Sequence, residues 1–169
     1  MILSADQALA KIDDLIDLLI DAVEGGASVG FLAPLAREEA GVYWRSVIDA
    51  IRAGNRILIA IEHGGRVIGT VQIARETRAN GRHRGEAIKL FVHSSFRRGG
   101  LARRLMAELE GAARAVGITL LLMDTRKDSQ GERLCESLGY TRWGEVPDYA
   151  RDPDGTLKAT SFYYRRLNA

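Results

Sequence analysis

Cysteine is almost missing from this chain: Cys135 is the single thiol in 169 residues. One thiol excludes an internal disulfide framework and points to a reducing, cytoplasmic setting. Histidine is scarce too. His63, His83 and His93 are scattered, and with one cysteine they give no metal-ligand spacing, so no metal is expected. Long hydrophobic runs are lacking. The longest, residues 57–61 and 120–123, fall far short of the ~18 residues of a membrane span, so no membrane partner is expected. The first residues have no basic stretch and include Asp6, so no signal peptide is read.

Net charge is only +2, but it is unevenly spread. Residues 1–50 hold nine acids and three bases, whereas residues 75–104 hold nine bases and two acids. A basic middle attracts polyanions. Aromatic residues make up only 7% of the chain, and the basic segment contains just Phe91 and Phe96. Without interleaved rings it is a poor single-strand binder, so nucleic acid is not an expected partner.

What is present is an ordinary globular chain. Hydrophobic residues make up 46% and charged residues 27%, which argues against disorder. The length fits one domain, given a prior of about 150 residues each. Ser4 and Gln7 have capping-box spacing ahead of Leu9, Ile12, Ile16, Leu19 and Val23, which recur at helical spacing. One helix is therefore predicted, closed by Gly25-Gly26, with Asp13, Asp14, Asp17 and Asp21 as a solvated face. Helices are also predicted over 37–53, 101–116 and 129–138. Strands are predicted over 57–61, 67–74, 87–92 and 119–124, then 140–146 and 161–166. Gly64-Gly65 makes the first pair a hairpin. The nearly all-apolar stretch 119–124 suits a buried central strand, parallel to 87–92 across a helical crossover. Residues 78–84 read as a basic solvated loop. The class is a mixed-sheet α/β domain.

The sharpest local signal is Arg97-Arg98-Gly99-Gly100-Leu101-Ala102-Arg103, between a predicted strand and a predicted helix. A helix start offers unpaired N–H groups and partial positive charge. Glycines let backbone approach a phosphate, and arginines add fork-shaped donors. Read alone, the heptapeptide either holds a phosphate or is a basic turn with glycines for steric reasons. It is neither a Walker loop nor Gly-x-Gly-x-x-Gly.

Arg97-x-x-Gly100-x-Ala102 resembles the Arg/Gln-x-x-Gly-x-Gly/Ala signature of the GNAT superfamily of N-acetyltransferases, and Leu90-Phe91-Val92 resembles the strand before it. The following helix, apolar strand and short helix closed by Leu138-Gly139-Tyr140 come in that family's order, so the likeness covers roughly residues 27–167. Residues 25–31, Leu122-Met123-Asp124-Thr125, and 144–149 through Pro153-Asp154-Gly155 resemble the tabtoxin-resistance branch. The resemblance implies a mostly antiparallel sheet with a central splayed parallel pair, flanked by helices. It implies acetyl-CoA as donor, with its pyrophosphate on the N–H groups of Arg98 to Arg103 and its pantetheine between the splayed strands. A free N–H near Phe91 or Val92 would polarise the thioester carbonyl. Homodimers are common in the family, so the resemblance also makes a homodimer an expected assembly.

Acetyl transfer to an amine requires a proton to leave the amine, an oxyanion to be stabilised and a thiolate to depart. Asp124 ends the apolar strand, where substrates meet parallel sheets. By resemblance it is the general base or the anchor of an ammonium; otherwise it caps a turn beside Thr125. Cys135 stands where the family usually has a tyrosine, the acid for the leaving thiolate. It replaces that acid, or it is a small buried filler. Ser94 stands where the family often has proline, and the fold's first strand is expected to be absent or very short. Ser28 and Phe31 of the small-residue loop, with Thr125 and Tyr149, are the expected acceptor wall. Trp44 reads as core and His93 as structural. The reading is an acetyl-CoA-dependent N-acetyltransferase of a small amino-acid-like amine, such as a toxin or antimetabolite. A non-catalytic CoA-binding module and an acetyltransferase of protein amines are the alternatives.

Overall fold

The computed structural model describes residues 1–167. Its sheet has seven strands in the order β1-β2-β3-β4-β5-β7-β6. Every neighbouring pair is antiparallel except β4–β5. β1 (Ile2–Leu3) is only two residues long and pairs with Ile59 and Leu58. β2 (Arg56–His63) and β3 (Arg66–Arg75) form the hairpin around Gly64-Gly65. β4 (Arg84–Val92) follows, then the crossover helix α4 (Leu101–Ala115) and β5 (Leu120–Arg126). A short helix α5 (Gln130–Ser137) leads into the closing hairpin of β6 (Thr141–Arg151) and β7 (Leu157–Arg166).

Residues 57–61 are apolar throughout because β2 is covered on both faces. Leu58 and Ala60 point to a core shared with the N-terminal helices, while Ile59 and Ile61 point to one built on α4. This is the period-two alternation of a strand, with both faces dry. Each fully buried Leu or Ile there contributes about 1.5–3 kcal/mol. Trp44 lies in the first core with no exposed surface.

The predicted single N-terminal helix is two, α1 (Ala5–Ala10) and α2 (Ile12–Glu24). Lys11 interrupts them, and its ammonium bonds to the Gly65 carbonyl at 3.3 Å and pairs with Glu62 at 3.1 Å. The capping box of Ser4 and Gln7 is formed. The acids of α2 are not merely solvated. Arg37, which opens α3 (Arg37–Arg52), bonds to Asp17 at 2.5 Å and Asp13 at 2.7 Å, and Arg66 reaches Asp14 and Asp17. Asp21 accepts from both the N–H and the hydroxyl of Ser94, at 2.8 and 2.6 Å. A proline at position 94 has no N–H to give that bond.

The N-terminal helices back β1 to β4 and leave one face of β5 uncovered. Leu121 and Met123 enter the α4 core, whereas Leu120 and Leu122 are half-buried and Asp124 is open. The expectation of a fully buried β5 therefore holds for one face only. β5 also runs to Arg126, so Asp124 lies within the strand, opposite Phe162 of β7, and caps no turn.

Candidate active site

β4 and β5 are joined only at Arg84–Leu120, Gly85–Leu121 and Glu86–Leu122. Beyond Glu86 they part, and each presents an unpaired edge to the gap. Alternate N–H groups of an unpaired edge are free donors. β4 also carries a bulge. Thr70 faces Phe91 and Gln72 faces Ile88, so Val71 of β3 stands against both Lys89 and Leu90. Lys89 takes φ +55°, a left-handed conformation uncommon outside glycine. The extra residue bends the strand away from β5.

The gap opens onto a cavity of about 540 Å³. Its floor is Ala87 to Leu90 of β4 and Met123 to Arg126 of β5. One wall is the loop 28–32, the other Tyr149 to Arg151 of β6. Tyr149 reaches it through a second bulge, where Pro147, Asp148 and Tyr149 oppose Ala159 alone. The walls are tied together by the bond from the Ala33 N–H to the Pro153 carbonyl, 2.9 Å. Tyr149 packs edge-on against Phe162, and Phe31 edge-on against Tyr43. The cavity thus gathers Ser28, Phe31, Asp124, Thr125 and Tyr149 from distant parts of the chain, with Leu90. Phe91 and Val92 point instead into the two cores.

The site is charged. Asp124 opens to the cavity but has protein around it otherwise, and this burial pushes its carboxyl up against the opposing pull of Lys89. Glu86 is also raised by burial and by Asp124. Lys89 is lowered by burial, while Asp124 and Glu86 favour its charged form. Its ammonium donates to the Val29 carbonyl and lies 5.5 and 5.7 Å from the ring centres of Phe31 and Tyr43. Gly30 takes φ +86°, where a side chain is strained, and a Cβ there would lie 3.0 Å from Nζ. Sequence reasoning missed Lys89 and Glu86. A lone lysine between Ile88 and Leu90 was the only available signal, since the bulge leaves no mark in the pattern.

At the basic turn, Gly100 takes φ +76° as N-cap of α4, with no side chain capping the helix. The N–H groups from Arg98 to Arg103 have no acceptor among the described residues. A Cβ on Gly100 would meet no protein atom within 4 Å, so the space before the helix is open. Free donors, a helix N-terminus and close backbone access fit the diphosphate of CoA. Two arginines have other tasks. Arg97 Nε donates to the Val92 carbonyl at 3.1 Å, holding the turn under β4, and Arg103 bonds Ser137 of α5 at 2.9 Å. Leu101 and Ala102 pack on the α4 core, whereas Arg98 and Gly99 are exposed.

Cys135 does not line the cavity. It has no exposed surface, its Sγ lies 3.5 Å from Met123 Sδ, and burial pushes its thiol up to about 12. A thiol that holds its proton so tightly is a poor acid toward a thiolate whose ordinary value is near 8.5. Cys135 thus sits among the core side chains and away from the residues that line the cavity. Tyr140 is equally remote, with its hydroxyl on buried Glu110 at 3.2 Å. Glu132 instead secures the end of β5: it accepts from the Asp128 N–H and the Ser161 hydroxyl, both at 2.6 Å, and from Tyr163 at 3.1 Å.

Residues 16–140 match the model of the acetyltransferase (GNAT) family. An uncharacterized N-acetyltransferase from the hisH-hisA intergenic region of Azospirillum brasilense is 36% identical over 116 residues, covering 68% of this chain and 67% of the relative. An IAA acetyltransferase of the same organism is 33% identical over 100 residues, or 58% and 62% of the two chains. Among solved structures, yncA of Salmonella typhimurium, determined with its cofactor acetyl-CoA, superposes with a TM-score of 0.80 at 20% identity, over 100% of this chain and 94% of the other. A ribosomal-protein-alanine N-acetyltransferase of Brucella melitensis gives 0.79 at 22% identity, over 99% of both. An ordered signature, a splayed β4–β5 pair and a family match over most of the chain agree: this chain belongs to the GNAT family of acetyltransferases, which use acetyl-CoA.

Proposed function

We propose that the enzyme acetylates the amine of a small amino-acid-like molecule held in the cavity, with Asp124 as the residue that meets the amine. The observation that carries this reading is Asp124 on the floor of a walled cavity, at the point where β4 and β5 separate. A cavity of about 540 Å³ tied across by Ala33 and Pro153 suits a small molecule better than a protein chain. Arg126 and Arg151 also line the cavity, the first paired with Asp152 at 2.7 Å and the second bonded to the Gly155 carbonyl at 2.6 Å, and their remaining donors suit the carboxylate of such an acceptor. An amino-acid toxin or antimetabolite, as in the tabtoxin-resistance branch, belongs to this class. The single buried thiol is compatible with a cytoplasmic enzyme.

Acetyl-CoA supplies the acetyl group as an activated thioester. The backbone N–H groups of Arg98 to Arg103 would hold the diphosphate, and the unpaired edges of β4 and β5 would hold the pantetheine. A free N–H on the edge of β4 near Phe91 or Val92 would polarise the thioester carbonyl. Asp124 accepts a proton from the acceptor ammonium, and the freed amine attacks directly within the ternary complex. The walls from Ser28 to Phe31 and at Tyr149 exclude water and fix the acceptor. Cys135 gives no proton, so the leaving thiolate is protonated from solvent.

Thiol release from acetyl-CoA, measured against amino acids, aliphatic amines and lysine peptides, tests the reading. Turnover with one or more free amino acids and none with peptides is expected. Turnover confined to peptides would overturn it.

A further inference from the structure

We propose that Lys89 is a positioning residue for this site: its ammonium, locked by the acceptor wall, holds the Asp124 carboxyl in its charged form. The inference rests on the reading of Asp124 as the residue that meets the amine, and it extends to what keeps that residue ready.

Three independent features point to Lys89. The bulge in β4 gives it φ +55°, a strained conformation for a side-chain-bearing residue, and places it in the gap rather than on β3. Its ammonium is held by the Val29 carbonyl and by the rings of Phe31 and Tyr43. Such contacts favour a cation and fix its place. Gly30 has no side chain where Nζ passes. A long flexible lysine is thereby made into a fixed charge lining the same cavity as Asp124.

Asp124 from β5 and Glu86 on β4 favour the charged form of Lys89, and Arg56 from β2 opposes it. Arg126 of β5 and Arg151 of β6 also line the cavity, the first paired with Asp152 at 2.7 Å and the second bonded to the Gly155 carbonyl at 2.6 Å. Lys89 is the charge that acts on Asp124, and Asp124 in turn acts on Glu86. Tyr43 from α3 is tied to Gln72 at 2.9 Å, and Arg56 to the same Gln72 at 3.2 Å. Burial makes a proton on Asp124 more favourable, and Lys89 opposes it. Without Lys89, burial would leave Asp124 protonated at a higher pH, unable to take a proton from the amine.

The test follows the Asp124 carboxyl itself, with no substrate or acetyl-CoA present. Protein with carbon-13 in the aspartate carboxyls is titrated by NMR, the Asp124 signal being assigned by its loss in Asp124→Asn. Lys89→Gln removes the charge and keeps a donor for Val29, Lys89→Met removes both, and Lys89→Arg keeps the charge. The midpoint of Asp124 is expected to rise by about one pH unit or more in the Gln and Met variants and to stay near wild type in the Arg variant. An unchanged midpoint in folded Lys89→Gln would overturn the proposal, as a purely structural latch does not alter that titration beyond its effect on folding. The acid limb of turnover separates the two readings. A limb that moves with the midpoint supports both. A midpoint that moves under a fixed limb leaves Lys89 in this role and removes Asp124 as the proton acceptor.

Discussion

Burial raises the proton affinity of Asp124 and Lys89 restrains the rise, so acid should inactivate the enzyme at a pH above the ordinary aspartate value of about 3.9. On the proposed role the charged carboxylate is the working form, so activity is expected to fall as pH drops through its midpoint. A pH–rate profile with saturating acetyl-CoA checks this, and an acid limb at or below the ordinary value would contradict it. Cys135 makes the opposite prediction. With its thiol pushed up to about 12 and no exposed surface, it should resist alkylation in the folded enzyme. Cys135→Ala should cost about 1 kcal/mol of stability through a small cavity. Its turnover should change by much less than the ~10²–10⁴ expected for loss of a positioned acid. Thermal melting and thiol release on one preparation read both effects. The sequence offered both residues as candidates, and the fold places them differently, Asp124 on the cavity floor and Cys135 in the α4 core.

Among the elements, the start of α4 was the most legible part, since it is local: two glycines and flanking arginines between a strand and a helix. Gly100 at φ +76° predicts that Gly100→Val loses affinity for acetyl-CoA by at least about tenfold, with about 1–2 kcal/mol of backbone strain added. Isothermal titration with CoA and a melt distinguish the two, and full affinity would remove the diphosphate from this turn. The bulges of β4 and β6 were not legible, because an extra residue against a partner strand is a property of pairing, not of local pattern. For the same reason Lys89 read as an interruption in an apolar strand. The basic loop 78–84 was only partly a solvated loop. Glu76, on the turn between β3 and β4, accepts from the Arg78 N–H at 3.0 Å and from Arg84 at 2.7 Å, and these bonds lower its carboxyl from 4.5 to about 2. A depressed carboxyl stabilises the fold above its unfolded value and loses that contribution as pH falls toward about 2. Glu76→Gln should therefore melt below wild type at neutral pH, with the gap closing as pH falls from 4.5 to about 2. A gap that stays constant with pH would contradict the pairing.

Across the molecule, the acids of the first helices are partly paired within the fold. Arg37 and Arg66 gather three acids of α2, and Asp21 secures Ser94 just before the basic turn. Such exposed pairs each contribute at most about 1 kcal/mol, so their effect is on placement more than on stability. The cavity is likewise a product of the whole chain: its walls are residues 28–32 and 149–151, and its floor is β4 and β5. The sequence suggested each wall only through family likeness, since nothing local says that position 31 meets position 89. The account stands most directly on Asp124→Asn, which keeps the shape and removes charge and basicity. With the best acceptor of the amine panel, turnover should fall at least about tenfold while the dissociation constant of acetyl-CoA stays close to wild type. Wild-type turnover across the pH range, or a loss confined to acetyl-CoA binding, would contradict the assignment of Asp124 to the acceptor.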